Sequence, residues 1–120
     1  MAYTKLQLQM IFASMIPALI NKARELGYQV TGGEWYRSPE EAARLAKLGK
    51  GIKNSLHCDK LAIDLNLFKD GVYQTSTEAH RQLGTWWESQ SAGKPFVCHW
   101  GGNFGDGNHY SLTSDTDNRK

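Results

Sequence analysis

Ser55-Leu56-His57-Cys58-Asp59-Lys60-Leu61-Ala62-Ile63-Asp64-Leu65 is the stretch that decides the fold of this 120-residue chain. Beyond it the pattern continues: Leu61, Ile63, Leu65 and Leu67 alternate with Ala62, Asp64, Asn66 and Phe68. Strict alternation over several residues marks a strand with two unlike faces. Asp64 then sits mid-strand on the less apolar face. A carboxylate there is costly unless something charged or donating meets it. His57 lies seven residues earlier. That odd separation would place it on the opposite face of a continuous strand. His57 therefore belongs to a turn before the strand, around Cys58-Asp59-Lys60, from which it can swing toward Asp64.

A second stretch has the same build. Gly101-Gly102-Asn103-Phe104-Gly105-Asp106-Gly107-Asn108 is a glycine-dense loop that runs into a short strand candidate, His109-Tyr110-Ser111-Leu112. The loop can bring Asp106 near His109 without the two sharing a strand face. His57, Asp64 and His109 form a candidate set of ligands for Zn2+, which needs side chains converging at about 2.0–2.2 Å. Three protein ligands leave a fourth position for water, the catalytic arrangement. Two neutral imidazoles and one carboxylate leave a site charge of about +1, which keeps the metal a good Lewis acid. Asp106 is the candidate general base beside it. The competing reading, that these groups merely satisfy one another in a core, is the weaker one, because buried ionisable groups without a purpose are rare.

The totals fit one domain spanning residues 1–120, long enough for a core without disulfides. Lys and Arg number 14 against 12 Asp and Glu, a net charge of +2. That balance, with no basic run, does not suggest a nucleic-acid partner. A mildly basic surface would not oppose an anionic polymer such as a cell wall. Cys58 and Cys98 form no CxxC knuckle, so a structural cysteine-rich zinc site is not expected. Both read as small buried hydrophobes, with a disulfide between them left open. Met10–Ile20 is interrupted by Ser14 and Pro17 and is too short for a membrane span. No secretory signal is visible, so synthesis and retention in the cytoplasm are expected, with release depending on something else. A monomer is expected.

In chain order, helical spacing predicts a first helix from Thr4 to Leu26, Thr4 being its cap. Pro17 makes this either two helices or one bent one. Tyr28–Thr31 reads as a short strand. Ser38-Pro39-Glu40-Glu41 is a helix start with Ser38 as cap. Arg37 stands between that strand and that helix, flanked by Trp35 and Tyr36. It either bridges to Glu34 or Glu40, or offers its planar fork to a substrate carboxylate or carbonyl oxygen. Ser55 either bonds a ligand or, as serines in turns commonly do, the loop backbone. Lys69-Asp70-Gly71-Val72 reads as a hairpin turn. A third helix is expected from Glu78 to Gln90, capped by Ser76 or Thr77, with His80 at its surface or half-buried. Phe96–Trp100 is a strand, and His99 on it reads as structural.

These residues together resemble the zinc peptidases of the D-alanyl-D-alanine carboxypeptidase family. That family includes D,D-dipeptidases of vancomycin resistance and phage endolysins that are L-alanyl-D-glutamate peptidases, and its fold is shared by the Hedgehog signalling domain. The pattern Ser-x-His-(x)6-Asp, followed far downstream by Glu or Asp, two intervening residues and a final His, appears as Ser55, His57, Asp64, Asp106 and His109. Tyr36-Arg37-Ser38 and Trp100-Gly101-Gly102 match flanking elements, so the resemblance spans Gly32 to Leu112. It implies an α+β fold, a small antiparallel sheet with helices packed on it. It implies Zn2+ on His57, Asp64 and His109, Asp106 as base, and Arg37 as a group that steadies substrate or transition state. Tyr36 and Ser55 become candidate substrate contacts. Asp rather than Glu at 106, the small size and the lack of a signal peptide look like the phage endolysin branch, which cuts between L-Ala and D-Glu in the peptidoglycan stem. A D,D- or L,D-carboxypeptidase, or a non-catalytic zinc-bearing wall-binding module, remain the alternatives.

Overall fold

Thr4 begins the first helix with a full capping box in the computed structural model, which describes residues 3–120. The Thr4 hydroxyl accepts from the Gln7 backbone N–H, and the Gln7 side chain accepts from that of Thr4. Helix α1 runs Lys5–Glu25 as one element with Pro17 inside it. Pro17 is exposed, and the buried stripe Leu8, Phe12, Ile16, Leu19 and Ala23 continues on both sides of it. Tertiary packing of that stripe holds the helix together where propensity alone would break it.

Five strands follow the expected pattern: β1 (Gln29–Gly32), β2 (Ala62–Lys69), β3 (Val72–Tyr73), β4 (Phe96–Trp100) and β5 (His109–Ser114). They form an antiparallel sheet in the order β1-β2-β5-β4, with β3 paired to the far end of β2. The hairpin between β2 and β3 turns on Asp70 and Gly71, both at positive φ (51° and 77°), as an Asp-Gly turn requires. Helix α2 is Pro39–Lys47, capped by Ser38. The α+β class is the one the sequence implies.

Alternation along β2 buries Ile63, Leu65 and Leu67, Leu61 just before it is buried as well, and β5 is buried from His109 to Thr113, Tyr110 and Leu112 included. Phe12 of α1 meets Trp87 edge-on, ring centroids 6.0 Å apart. Trp87 donates its indole N–H to the Ser111 carbonyl at 3.1 Å, which locks helix to sheet. The register of β2 and β5 pairs Asp64 with His109. Directly opposed residues share a face with Cβ atoms about 5 Å apart. Sheet pairing alone therefore sets two candidate ligands side by side.

The third helical region differs from expectation. Residues Glu78–His80 form a 3-10 turn and α3 begins only at Arg81, ending at Ser89. Ser76, not Thr77, supplies the capping hydroxyl, to the Ala79 N–H. At the junction His80 turns inward and is 2% exposed, rather than at the surface or half-buried. Its Nδ1 meets the Tyr110 hydroxyl at 2.7 Å. Burial pushes the His80 pKa down to about 4, so the ring that meets the hydroxyl is neutral. The unfolded chain, with histidine near 6.5, takes up that proton first as pH falls. Folding stability should therefore be full above pH 6.5 and drop by about 3 kcal/mol between there and pH 4 through this one group. Denaturation midpoints at pH 7, 5.5 and 4 check it, and His80→Gln should flatten the slope.

Cys98 is buried and Cys58 half-buried, and both are free thiols. Among the described residues no helix is long and apolar enough to cross a membrane.

Candidate metal centre

Residues Leu56–Asp59 form the turn that delivers His57, a single 3-10 turn closed by Lys60 in the left-handed conformation. The Ser55 hydroxyl accepts from the His57 backbone N–H at 3.1 Å, so the turn-capping role of this serine is realised. Ser55 also lines the pocket described below. The His57 carbonyl accepts from the Arg37 N–H at 3.1 Å, tying the turn to the segment before α2. The imidazole is buried, and its Nδ1 lies 3.0 Å from the Trp35 carbonyl.

Asp64 is fixed by the irregular segment just beyond β1. Its N–H donates to the Glu34 carbonyl at 2.9 Å and its carbonyl accepts from the Gly33 N–H at 2.7 Å. A Cβ at position 33 would stand 2.9 Å from the Asp64 Cβ, so only glycine permits this approach. His109 opens β5. Its N–H donates to the Asp106 carbonyl at 3.1 Å, and its Nε2 lies 3.1 Å from the Lys120 main-chain oxygen. The loop that supplies Asp106 closes tightly on Gly101, where a Cβ would come within 2.2 Å of the Asp106 oxygen and 2.8 Å of the His109 Cβ.

The three candidate ligands converge. His57 Nε2 is 3.4 Å from Asp64 Oδ1, His109 Nδ1 is 3.9 Å from the same oxygen, and the three ligand atoms all lie within 4.8 Å of one another. Ligands set tetrahedrally around an ion at about 2.1 Å would stand about 3.4 Å apart. Both imidazoles spend their outward N–H on a main-chain oxygen, that of Trp35 for one and that of Lys120 for the other. A neutral ring has one N–H, so each inward nitrogen keeps its lone pair. Outer oxygens of this kind are the usual companions of metal-ligating histidines. The donor set of two nitrogens and a carboxylate fits a divalent ion of zinc type.

Electrostatics separate the two rings. Burial works to lower the His57 pKa, but the Asp64 carboxylate and the Trp35 carbonyl outweigh it and the net shift is upward. Burial lowers His109, and the neighbouring His57 adds to that.

A cavity of about 480 Å³ opens over the triad, and Arg37, Ser55, Asp106 and Phe104 are among its lining residues. Arg37 donates Nε to Glu34 Oε1 at 2.8 Å and its NH2 to the same oxygen, so the bridge is to Glu34 and not Glu40. Burial works against the charged guanidinium, but Glu34 more than compensates and the Arg37 pKa is raised. Arg37 is thus a fixed cation in the pocket wall. The Asp106 side chain is half exposed, and its Oδ2 lies 3.9 Å from His109 Nδ1. Tyr36 stands elsewhere, in a separate shallow groove with Gln9, Trp35 and Lys60, the Lys60 ammonium 5.6 Å from its ring centroid. His99 bonds Thr113 at 2.9 Å, a structural pairing.

Three contributors escape sequence reasoning. The Trp35 and Lys120 oxygens are backbone atoms and leave no residue-type signal. Segment 115–120 reaches the pocket through Asn118, Arg119 and Lys120, yet carries no periodicity that would announce it.

The fold has a counterpart among solved structures. The crystal structure of the Serratia marcescens L-Ala D-Glu endopeptidase ChiX superposes with a TM-score of 0.65 at 20% identity, covering 83% of this chain and 79% of that one. At that identity the likeness establishes a shared fold. No protein-family model matches the sequence, and no curated protein matches it significantly.

Proposed function

We propose that the protein is a zinc-dependent peptidoglycan peptidase that hydrolyses the L-Ala–D-Glu bond of the stem peptide, acting in the manner of a phage endolysin at the wall after release from the cytoplasm. The observation that carries this reading is the convergence of His57, Asp64 and His109, with both outward N–H groups held by main-chain oxygens. The shared fold with an L-Ala D-Glu endopeptidase supports the substrate class. His57, Asp64 and His109 would hold the ion, which when bound supplies Lewis-acid polarisation and a water acidified toward pKa 7.

The chain's own residues do the rest. Asp106 stands at the pocket edge, where its carboxylate can take a proton from an attacking water and return it to the leaving amine. Arg37, held rigid by Glu34, presents positive charge where the carbonyl oxygen becomes an oxyanion. Ser55 keeps His57 in place. Tyr36, outside the pocket, would meet a substrate only where a longer chain crosses the rim.

Digestion of purified peptidoglycan followed by mass spectrometry of the fragments tests the reading. New L-Ala C-termini and D-Glu N-termini are expected, with activity lost to a chelator and restored by Zn2+. Release of terminal D-Ala instead would make it a carboxypeptidase. Sedimentation with the wall and no fragments would make it a binding module.

A further inference from the structure

Segment 115–120 has no regular structure beyond the turn after β5, so side-chain contacts alone fix its path. Arg119 makes most of them. Its Nε lies 3.1 Å from both Asp117 oxygens and its NH2 lies 2.7 Å from Asp117 Oδ2. Its NH1 lies 2.8 Å from Asp59 Oδ2 and 3.4 Å from Asn54 Oδ1. Asp59 belongs to the 3-10 turn that carries His57, and Lys5 of α1 holds its other oxygen at 3.1 Å. A forked guanidinium satisfied on both sides by carboxylates is the strong form of such a contact. Arg119 and both acids are largely shielded, with side-chain exposures of 22%, 18% and 23%.

The next residue, Lys120, offers the main-chain oxygen to which His109 Nε2 donates. On the inward side of that ring, Nδ1 faces the Asp64 and Asp106 carboxylates, each 3.9 Å away. Those acids pull the single imidazole proton toward Nδ1, which would block the lone pair. The Lys120 oxygen pulls it the other way. We propose that Arg119 is a positioning residue: by clamping segment 115–120 to the turn that carries His57, it holds the Lys120 main-chain oxygen on His109 and so keeps the metal-facing nitrogen unprotonated. This rests on the metal-site reading above. Neither Arg119 nor Lys120 needs to touch substrate for it to hold.

The clamp can be read without metal or activity. In metal-free protein with 15N-labelled histidine, the parent should show His109 protonated at Nε2. Arg119→Ala should shift it to a mixture or to the Nδ1–H form, and Asp59→Asn should do so in part. Removing the same charge at the exposed Arg44 should change nothing. Zn2+ affinity by chelator competition should fall at least about tenfold in Arg119→Ala, in line with the loss of an outer partner of a ligating histidine. An Arg119→Ala protein that keeps the parental tautomer and affinity overturns the proposal. A parent that fails to bind Zn2+ while the tautomer still shifts would leave the clamp standing and remove the metal reading instead.

Discussion

His57→Ala is expected to abolish Zn2+ binding and to reduce peptidoglycan hydrolysis by at least about 10³-fold, since polarisation by a metal is worth several kcal/mol and each 1.4 kcal/mol is a factor of ten. With this ring gone, one nitrogen and one carboxylate remain, too few for a site that needs three protein ligands and one open position. Elemental analysis of the purified variant gives the first readout. Thermal denaturation gives the second. A ligand that binds only the folded form stabilises it by about 2.7 kcal/mol at a hundredfold excess over Kd. The parent midpoint should rise with Zn2+ and fall with a chelator, and the variant should ignore both. His57 is buried, so the truncation leaves a cavity and could unsettle the fold. Asp64→Asn keeps the volume and the strand while weakening the same site, and should lose the Zn2+ response with the unfolding transition intact. A His57→Ala protein that retains one equivalent of zinc would remove the triad from the metal.

How far the site can be read from the chain depends on which atoms do the work. The alternation of Leu61 to Phe68 puts Asp64 on one face, and the strand is there with that face. The odd spacing removes His57 from the strand, and a 3-10 turn carries it. Sequence could not foresee that β2 and β5 pair with Asp64 opposite His109, because register between distant strands is set by packing rather than by local pattern. His80 fails for a related reason. A uniform helix from Glu78 would leave it half exposed, but the 3-10 turn rotates it onto Tyr110. Pro17 left two helices or one bent one open, and a single helix is realised, because the propensity penalty is local while the stripe from Leu8 to Ala23 is held by the whole core. The main-chain oxygens of Trp35 and Lys120 are invisible to any reading of residue types.

Asp106→Ala should leave zinc content, fold and thermal midpoint at parental values and lower kcat by about 10²–10⁴-fold, the usual worth of a positioned general base. Three observations make the separation sharp. The side chain is half exposed, so removing it opens no cavity. The turn it sits in is held by its backbone, through Asp106 N–H to the Gly101 carbonyl at 2.8 Å and the His109 N–H to its own carbonyl. The other acid beside the pocket wall, Glu34, is already paired with Arg37 and is a poor substitute base. An effect on kcat with KM nearly unchanged would mark a group used in the transition state and not in binding. The competing assignment makes Asp106 a fourth ligand, since its carboxylate stands as close to His109 Nδ1 as that of Asp64 does, both at 3.9 Å. A fourth protein ligand would close the position that water needs. Asp106→Ala would then weaken Zn2+ binding by the same chelator competition, and the base would have to be sought elsewhere. Unchanged affinity beside a collapsed turnover number assigns the proton transfer to this carboxylate.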